Sequence, residues 1–128
     1  MRQKIVVVAV VLSLVIGFMS LPPTPQAYAG SNGQQLFFYT MSGVKISWIQ
    51  VSGTYYTGNR ATWSKSISPA QGSYSLTNYW WKNQVDIQYR LADGRRGYCS
   101  FNVPTSMSGN WVNVGLDRQP GTSCYPSY

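Results

Sequence analysis

The 128-residue chain contains no histidine and no glutamate, and its only acids are Asp86, Asp93 and Asp117. Without an imidazole, no side chain has an ordinary pKa close to neutrality. Ser–His–Asp, Cys–His and histidine-based ribonuclease schemes are therefore excluded. A glycosidase would need two of the three aspartates as its acid and its base or nucleophile. Asp93 sits in the hairpin turn Ala92-Asp93-Gly94. Asp86 lies on the polar side of a strand, beside Gln88 and Arg90, and reads as an ion-pair partner. Asp117 follows a strand end in Leu116-Asp117-Arg118 and reads as a turn cap. Asp86 with Asp117 is the pairing that catalysis would require. Glycine-rich phosphate loops, nucleophile elbows and calcium loops are absent as well. The expectation is a protein without enzymatic activity and without a cofactor.

Cysteine is almost as scarce. Cys99 and Cys124 are the only two, and two thiols without histidine cannot complete a tetrahedral metal shell. A catalytic thiol would have no imidazole to activate it. The pair reads instead as one disulfide, as an even count in an exported chain does. There is no Asn-X-Ser/Thr sequon, which removes N-glycosylation.

What is present begins at the N-terminus. Arg2 and Lys4 precede a charge-free apolar run, Ile5 to Met19, then a proline-rich stretch, Leu21 to Gln26, and Ala27-Tyr28-Ala29. This is the layout of a secretory signal peptide with small residues at the cleavage site, and the run is short for a bilayer span. Residues 1–29 are expected to be removed, leaving Gly30 to Tyr128 as one exported domain, extracellular or periplasmic. Eight basic residues then face three acids, a formal charge of +5. A basic exported domain attracts anionic partners such as envelope polymers, acidic glycans and lipid headgroups. The same charge also serves solubility alone.

No part of the mature chain has a helical period. Serine, threonine, valine and aromatic residues abound, and glycine or proline recurs about every ten residues, which predicts short strands. They are placed at Gln35–Thr40, Val44–Val51, Tyr55–Tyr56 with Arg60–Ile67, Ser73–Trp81, Val85–Leu91, Arg95–Val103 and Trp111–Leu116. Breaks fall at Ser42-Gly43, Ser52-Gly53, Gly58-Asn59, Pro69 to Gly72, Lys82-Asn83, Asp93-Gly94, Pro104 to Asn110 and Pro120-Gly121. About seven strands fit an all-β fold, a small antiparallel sandwich or barrel with one disulfide. Val44, Ile46 and Trp48 are expected inward, with the alternation blurring at Ile49-Gln50-Val51.

One hairpin can be placed in register. Val85, Ile87, Tyr89 and Leu91 share an apolar face, as do Gly97, Cys99, Phe101 and Val103 on the returning strand. Matching the faces needs an odd-numbered loop. Ala92-Asp93-Gly94 provides it, with Gly94 left-handed in a G1 bulge. Val85 then faces Phe101, Ile87 faces Cys99, and Tyr89 covers Gly97.

The mature chain holds five Trp, nine Tyr and three Phe among 99 residues, more rings than a core of this size can bury. Tyr55-Tyr56 and Tyr79-Trp80-Trp81 are the leading exposed candidates, because adjacent strand residues point to opposite faces. One of Trp80 and Trp81 must therefore face outward. Such rings among amides and hydroxyls suit stacking on sugars, and they suit membrane interfaces equally. They also suit closing the ends of a sandwich without binding anything. Arg90, Arg95 and Arg96 gather at the hairpin tip, where Arg90 and Arg96 opposed across the strands would favour an anion between them. The alternative role for these charges is to protect an edge strand from aggregation. Nucleic-acid binding is physically allowed but disfavoured by the export signal and the modest charge.

The reading is a non-catalytic binding protein for a glycan or anionic envelope polymer. A membrane-active, antibacterial toxin-like protein and a small enzyme inhibitor acting through Pro104 to Asn110 are the alternatives. Intact-mass measurement of the exported protein should find a chain starting at Gly30 and no alkylation at Cys99 or Cys124 without prior reduction. A species retaining residues 1–29, or one with a free thiol, would overturn the export reading.

Overall fold

The longest strand organises the rest. The computed structural model describes residues 33–105, 107, 109–119 and 122–128, and within them Ser73–Leu91 forms a single strand of 19 residues. In chain order the elements are β1 (Gln34–Thr40), β2 (Ile46–Tyr55), β3 (Arg60–Gln71), β4 (Ser73–Leu91), β5 (Arg96–Val103), β6 (Trp111–Gln119) and β7 (Thr122–Ser127). They build one seven-stranded sheet in the order β3-β2-β4-β1-β6-β7, with β5 paired to β4 outside that path. All pairings are antiparallel except β1 with β6. The fold is all-β and carries the Cys99–Cys124 disulfide. The signal segment 1–29 and the break Pro120-Gly121 lie outside the described residues, as do Ser106 and Ser108 of the Pro104 to Asn110 loop.

Strand β4 serves two halves of the sheet. Its first half pairs β1, from Tyr39↔Ser73 to Gln34↔Trp81. Its second half has β2 along one edge and β5 along the other. The apolar residues of both halves merge into one cluster. Leu36, Phe38, Leu76, Val112, Val114 and Leu116 from one side meet Ile46, Ile49, Val51, Val85, Ile87 and Leu91 from the other. The sheet is thus folded over on itself with its apolar face inside. Trp81, fully buried, sits where the two halves of β4 meet, and burying a ring of that size contributes about 2–3 kcal/mol.

The hairpin β4–β5 has the expected register: Val85↔Phe101, Ile87↔Cys99 and Tyr89↔Gly97. Gly94 is left-handed with φ 90°. Its N–H donates to Leu91 O at 3.0 Å, and Leu91 N–H donates to Arg95 O at 2.8 Å, the pairing of a G1 bulge.

Four expectations change. The break at Lys82-Asn83 is a bulge, not an end: Asn83 takes φ 58°, yet pairing continues at Thr54↔Lys82 and Asn83↔Val103. Asparagine tolerates this conformation where most residues do not. The break at Ser52-Gly53 is also internal to a strand. Gly53 is there because an added Cβ would come within 2.8 Å of Val85 Cγ1 and 2.9 Å of Gln84 O. Strand β3 likewise continues through Pro69 to Gln71, and the chain turns at Gly72.

Trp48 is the fourth. A bulge between Ile46 and Trp48 shifts the register against β4, so Ile46 and Ile49 are the buried residues. Trp48 goes to the outer face, half-buried, opposite Arg90. Strand β7 had no counterpart in the sequence reading. It pairs β6, and the disulfide, with a Cα–Cα distance of 5.7 Å, ties it to β5 across 25 residues. Closing such a loop stabilises a fold by roughly 3 kcal/mol.

Gly97 lies directly beneath the Tyr89 ring, which a Cβ would strike. Gly97→Ala should therefore cost about 1–3 kcal/mol by overpacking. Gly94→Val should cost about 1–2 kcal/mol through left-handed strain. Denaturant unfolding of both variants, beside a control at Gly72, where an added Cβ meets nothing within 4 Å (Gly72→Ser), would reveal a misplaced hairpin if the first two matched the parent.

Candidate functional site

Two bulges in β4 decide where the aromatic rings point. Between Leu36↔Leu76 and Gln34↔Trp81 the strand carries extra residues, and Asn78 takes φ 64° to accommodate them. The bulge is fastened from both sides. Asn78 N–H donates to Gln35 Oε1 at 2.6 Å, and Tyr55 OH donates to Asn78 O at 3.2 Å. Tyr56 N–H donates to Trp80 O at 2.8 Å. These bonds hold the end of β2 against the bulge and bring Tyr55, Tyr56, Tyr79, Trp80 and Trp81 together.

Of the Trp80-Trp81 pair, Trp81 is the buried member and Trp80 is half-buried on the other side of the strand. Tyr55 packs edge-on against Tyr56 and Trp81, with centroids 4.5 and 6.0 Å apart. Tyr79 lies 6.2 Å from Tyr55 and 6.0 Å from Trp63. Trp63 in turn stacks on Tyr74 at 5.8 Å, and Lys65 Nζ is 5.5 Å from the Tyr74 ring centre. The result is a continuous run of rings along the seam where β3 meets the first half of β4. Tyr56 and Tyr79 keep 43% and 39% of their surface exposed, so the run reaches solvent. An open hollow of about 300 Å³ adjoins it, lined by Tyr55, Tyr56, Asn78 and Trp80.

Trp63 and Tyr74 were not singled out from sequence. Ala61, Trp63 and Lys65 alternate on one face of β3, which puts Trp63 inward, but its partners on β4 are distant in the chain. Asn78 and Gln35 were missed because their role is to hold a bulge, which composition does not announce.

The arginines form a different region. Arg90 lies nine positions beyond Trp81 on β4, a separation of roughly 30 Å at strand rise. Arg95 is occupied: its Nε is 2.8 Å from Asp93 Oδ2 and its Nη1 2.9 Å from Asp117 Oδ1. Hydrogen bonds from the Arg95 side chain and backbone hold the Asp93 carboxyl below the usual range, and those contacts raise Arg95 in turn. Arg90 and Arg96 stand directly opposite one another, and none of the ion pairs among the described residues involves either.

The three carboxylates do not converge. Asp86 lies on the outer face, where it accepts from Tyr98 OH at 3.2 Å and has Arg60 at 3.9 Å. Asp117 has φ 59°, and its N–H donates to the OH of the inward-facing Tyr89 at 3.2 Å. Asp86 and Asp117 thus have different partners, Arg60 and Tyr98 for the one and Arg95 and Tyr89 for the other. Among the described residues no group of three His, Cys, Asp or Glu side chains is placed to hold a metal ion. No helix among them is long and apolar enough to cross a membrane.

No protein-family model, no curated protein and no solved structure matches the chain. The ring seam and its hollow therefore have to be read from their own chemistry.

Three phenols give a direct test of this geometry. Burial, then the neighbouring Tyr56 and Tyr79, raise Tyr55; burial raises Tyr89; the bond to Asp86 raises Tyr98. A raised folded-state value means that each contribution to stability is full below the unfolded value of about 10 and is lost as pH climbs through the folded one. Alkaline titration of phenolate absorbance should show a late-ionising group of tyrosines, reduced by one in Tyr55→Phe. Ionisation of every phenol together, as in the unfolded chain, would contradict the packing described.

Proposed function

We propose that the chain is a non-catalytic glycan-binding protein of the cell exterior, with its ligand seated on the ring seam and in the adjoining hollow. The observation that carries this reading is the run Tyr56–Tyr55–Tyr79–Trp63–Tyr74, which presents ring surface to solvent beside the amide of Asn78. Flat apolar rings flanked by amides and hydroxyls match the two surfaces of a pyranose, its C–H face and its hydroxyl rim. Each carboxylate is engaged with an arginine, which supports binding without chemistry. The Cys99–Cys124 bond is compatible with an oxidising compartment. Taken with the signal-like segment at residues 1–29, it supports action outside the cytoplasm.

The test uses two rings that line the hollow, the exposed Tyr56 and the half-buried Trp80, and leaves the buried Trp81 alone. Tyr56→Ala with Trp80→Ala should weaken retention on insoluble neutral polysaccharides by tenfold or more, equivalent to about 1.4 kcal/mol. Parent binding should persist in about 1 M salt, where charge attraction is screened within roughly 3 Å. Circular dichroism checks that the variant folds. Parent binding to liposomes but to no polysaccharide would replace this reading with the membrane-active one, and equal retention of parent and variant would remove the seam from consideration.

A further inference from the structure

The bulge that turns Trp48 outward also completes a second surface. On the outer face of the β2–β4–β5 half, Trp48 stands opposite Arg90, and Arg90 stands opposite Arg96. One step along the strands, Gln50 stands opposite Gln88, and Gln88 opposite Tyr98. Neighbouring strands are about 4.8 Å apart, so each row spans about 10 Å, and the rows are about 7 Å from each other. A half-buried indole, two guanidinium groups, two amides and a phenol that is 54% exposed thus share one patch.

We infer that this patch binds a sugar residue bearing a negative group, its ring against Trp48 and its carboxylate, sulfate or phosphate between Arg90 and Arg96. The two guanidiniums are the decisive feature. Like charges directly opposite across strands cost stability, and no carboxylate among the described residues is paired with either arginine. Asp86, the acid on this face, is taken up by Tyr98 and Arg60. An anion between the two arginines removes the repulsion and gains charge-assisted, fork-shaped hydrogen bonding. Trp48 beside them favours an anion attached to a ring over a bare one, and the amides of Gln50 and Gln88 are placed for its hydroxyls. This surface is separate from the ring seam and does not depend on the neutral-glycan reading.

Matched polymers test it: dextran sulfate against dextran, and polygalacturonate against its methyl ester, with polyphosphate as an anion without sugar rings. Arg90→Gln with Arg96→Gln should lose tenfold or more in affinity for both charged polysaccharides, while the dextran and methyl-ester arms stay unchanged. Lys82→Gln with Arg118→Gln removes equal charge elsewhere and should lose far less. Trp48→Ala should weaken the charged polysaccharides but leave polyphosphate binding as in the parent. Tyr56→Ala with Trp80→Ala should leave all of these charged interactions intact. Without ligand and at low salt, Arg96→Gln should melt no lower than the parent, because a repulsion has been removed. Equal losses in the two double-charge variants would mean that net charge acts rather than this patch. Polyphosphate binding as tight as dextran sulfate binding, with Trp48→Ala without effect, would show that no sugar is recognised. Either result overturns the inference. Preference for sulfate or for carboxylate separates the two sources of the negative group.

Discussion

A strand nineteen residues long cannot lie flat, because strand twist accumulates along it, and here a single strand must supply edges to β1, β2 and β5. The structure answers with two left-handed asparagines, Asn78 and Asn83. Each lets β4 gain residues without losing its neighbours, so one strand belongs to both layers. Everything else follows from that sharing. The core is continuous because the two halves of the sheet are continuous at Trp81. The ring seam exists because the Asn78 bulge lifts Tyr79 and Trp80 out of regular alternation beside the end of β2.

The two aromatic and cationic regions are therefore products of backbone irregularity. Regular alternation would have left Trp48 inside and Tyr79 without Trp63 and Tyr55 as neighbours. Both candidate surfaces arise at bulges, where re-aimed side chains are the usual consequence. Their separation along β4 keeps the two surfaces distinct, so each is read by its own chemistry.

The β4–β5 hairpin was fully legible in the sequence because three local signals agree: alternation on both strands, an odd loop, and a glycine where the backbone turns left-handed. The exposure of one indole in Trp80-Trp81 was legible for the same reason, though not which one, because that depends on Asn78. Cys99 with Cys124 needed only counting. The continuity of β4 was hidden because Lys82-Asn83 reads as a turn, and the outward position of Trp48 was hidden by the bulge at Ser47. Strand β7 was hidden by Pro126 and its short length. The convergence of Trp63 and Tyr74 on Tyr79 was beyond reach, since sequence spacing carries no information about which distant strands face one another.

The parallel pairing of β1 with β6 has a consequence for how the molecule is made. Strand β1 precedes β4 and β6 in the chain yet lies between them, so one of its edges stays unpaired until β6 has been made. Contacts of such long sequence separation form slowly, because loop closure must precede any reward. Until then the apolar face of Leu36 and Phe38 has only half its cover. The nascent domain is thus held open by its own topology, and its final shape becomes available only once β6 has joined β1.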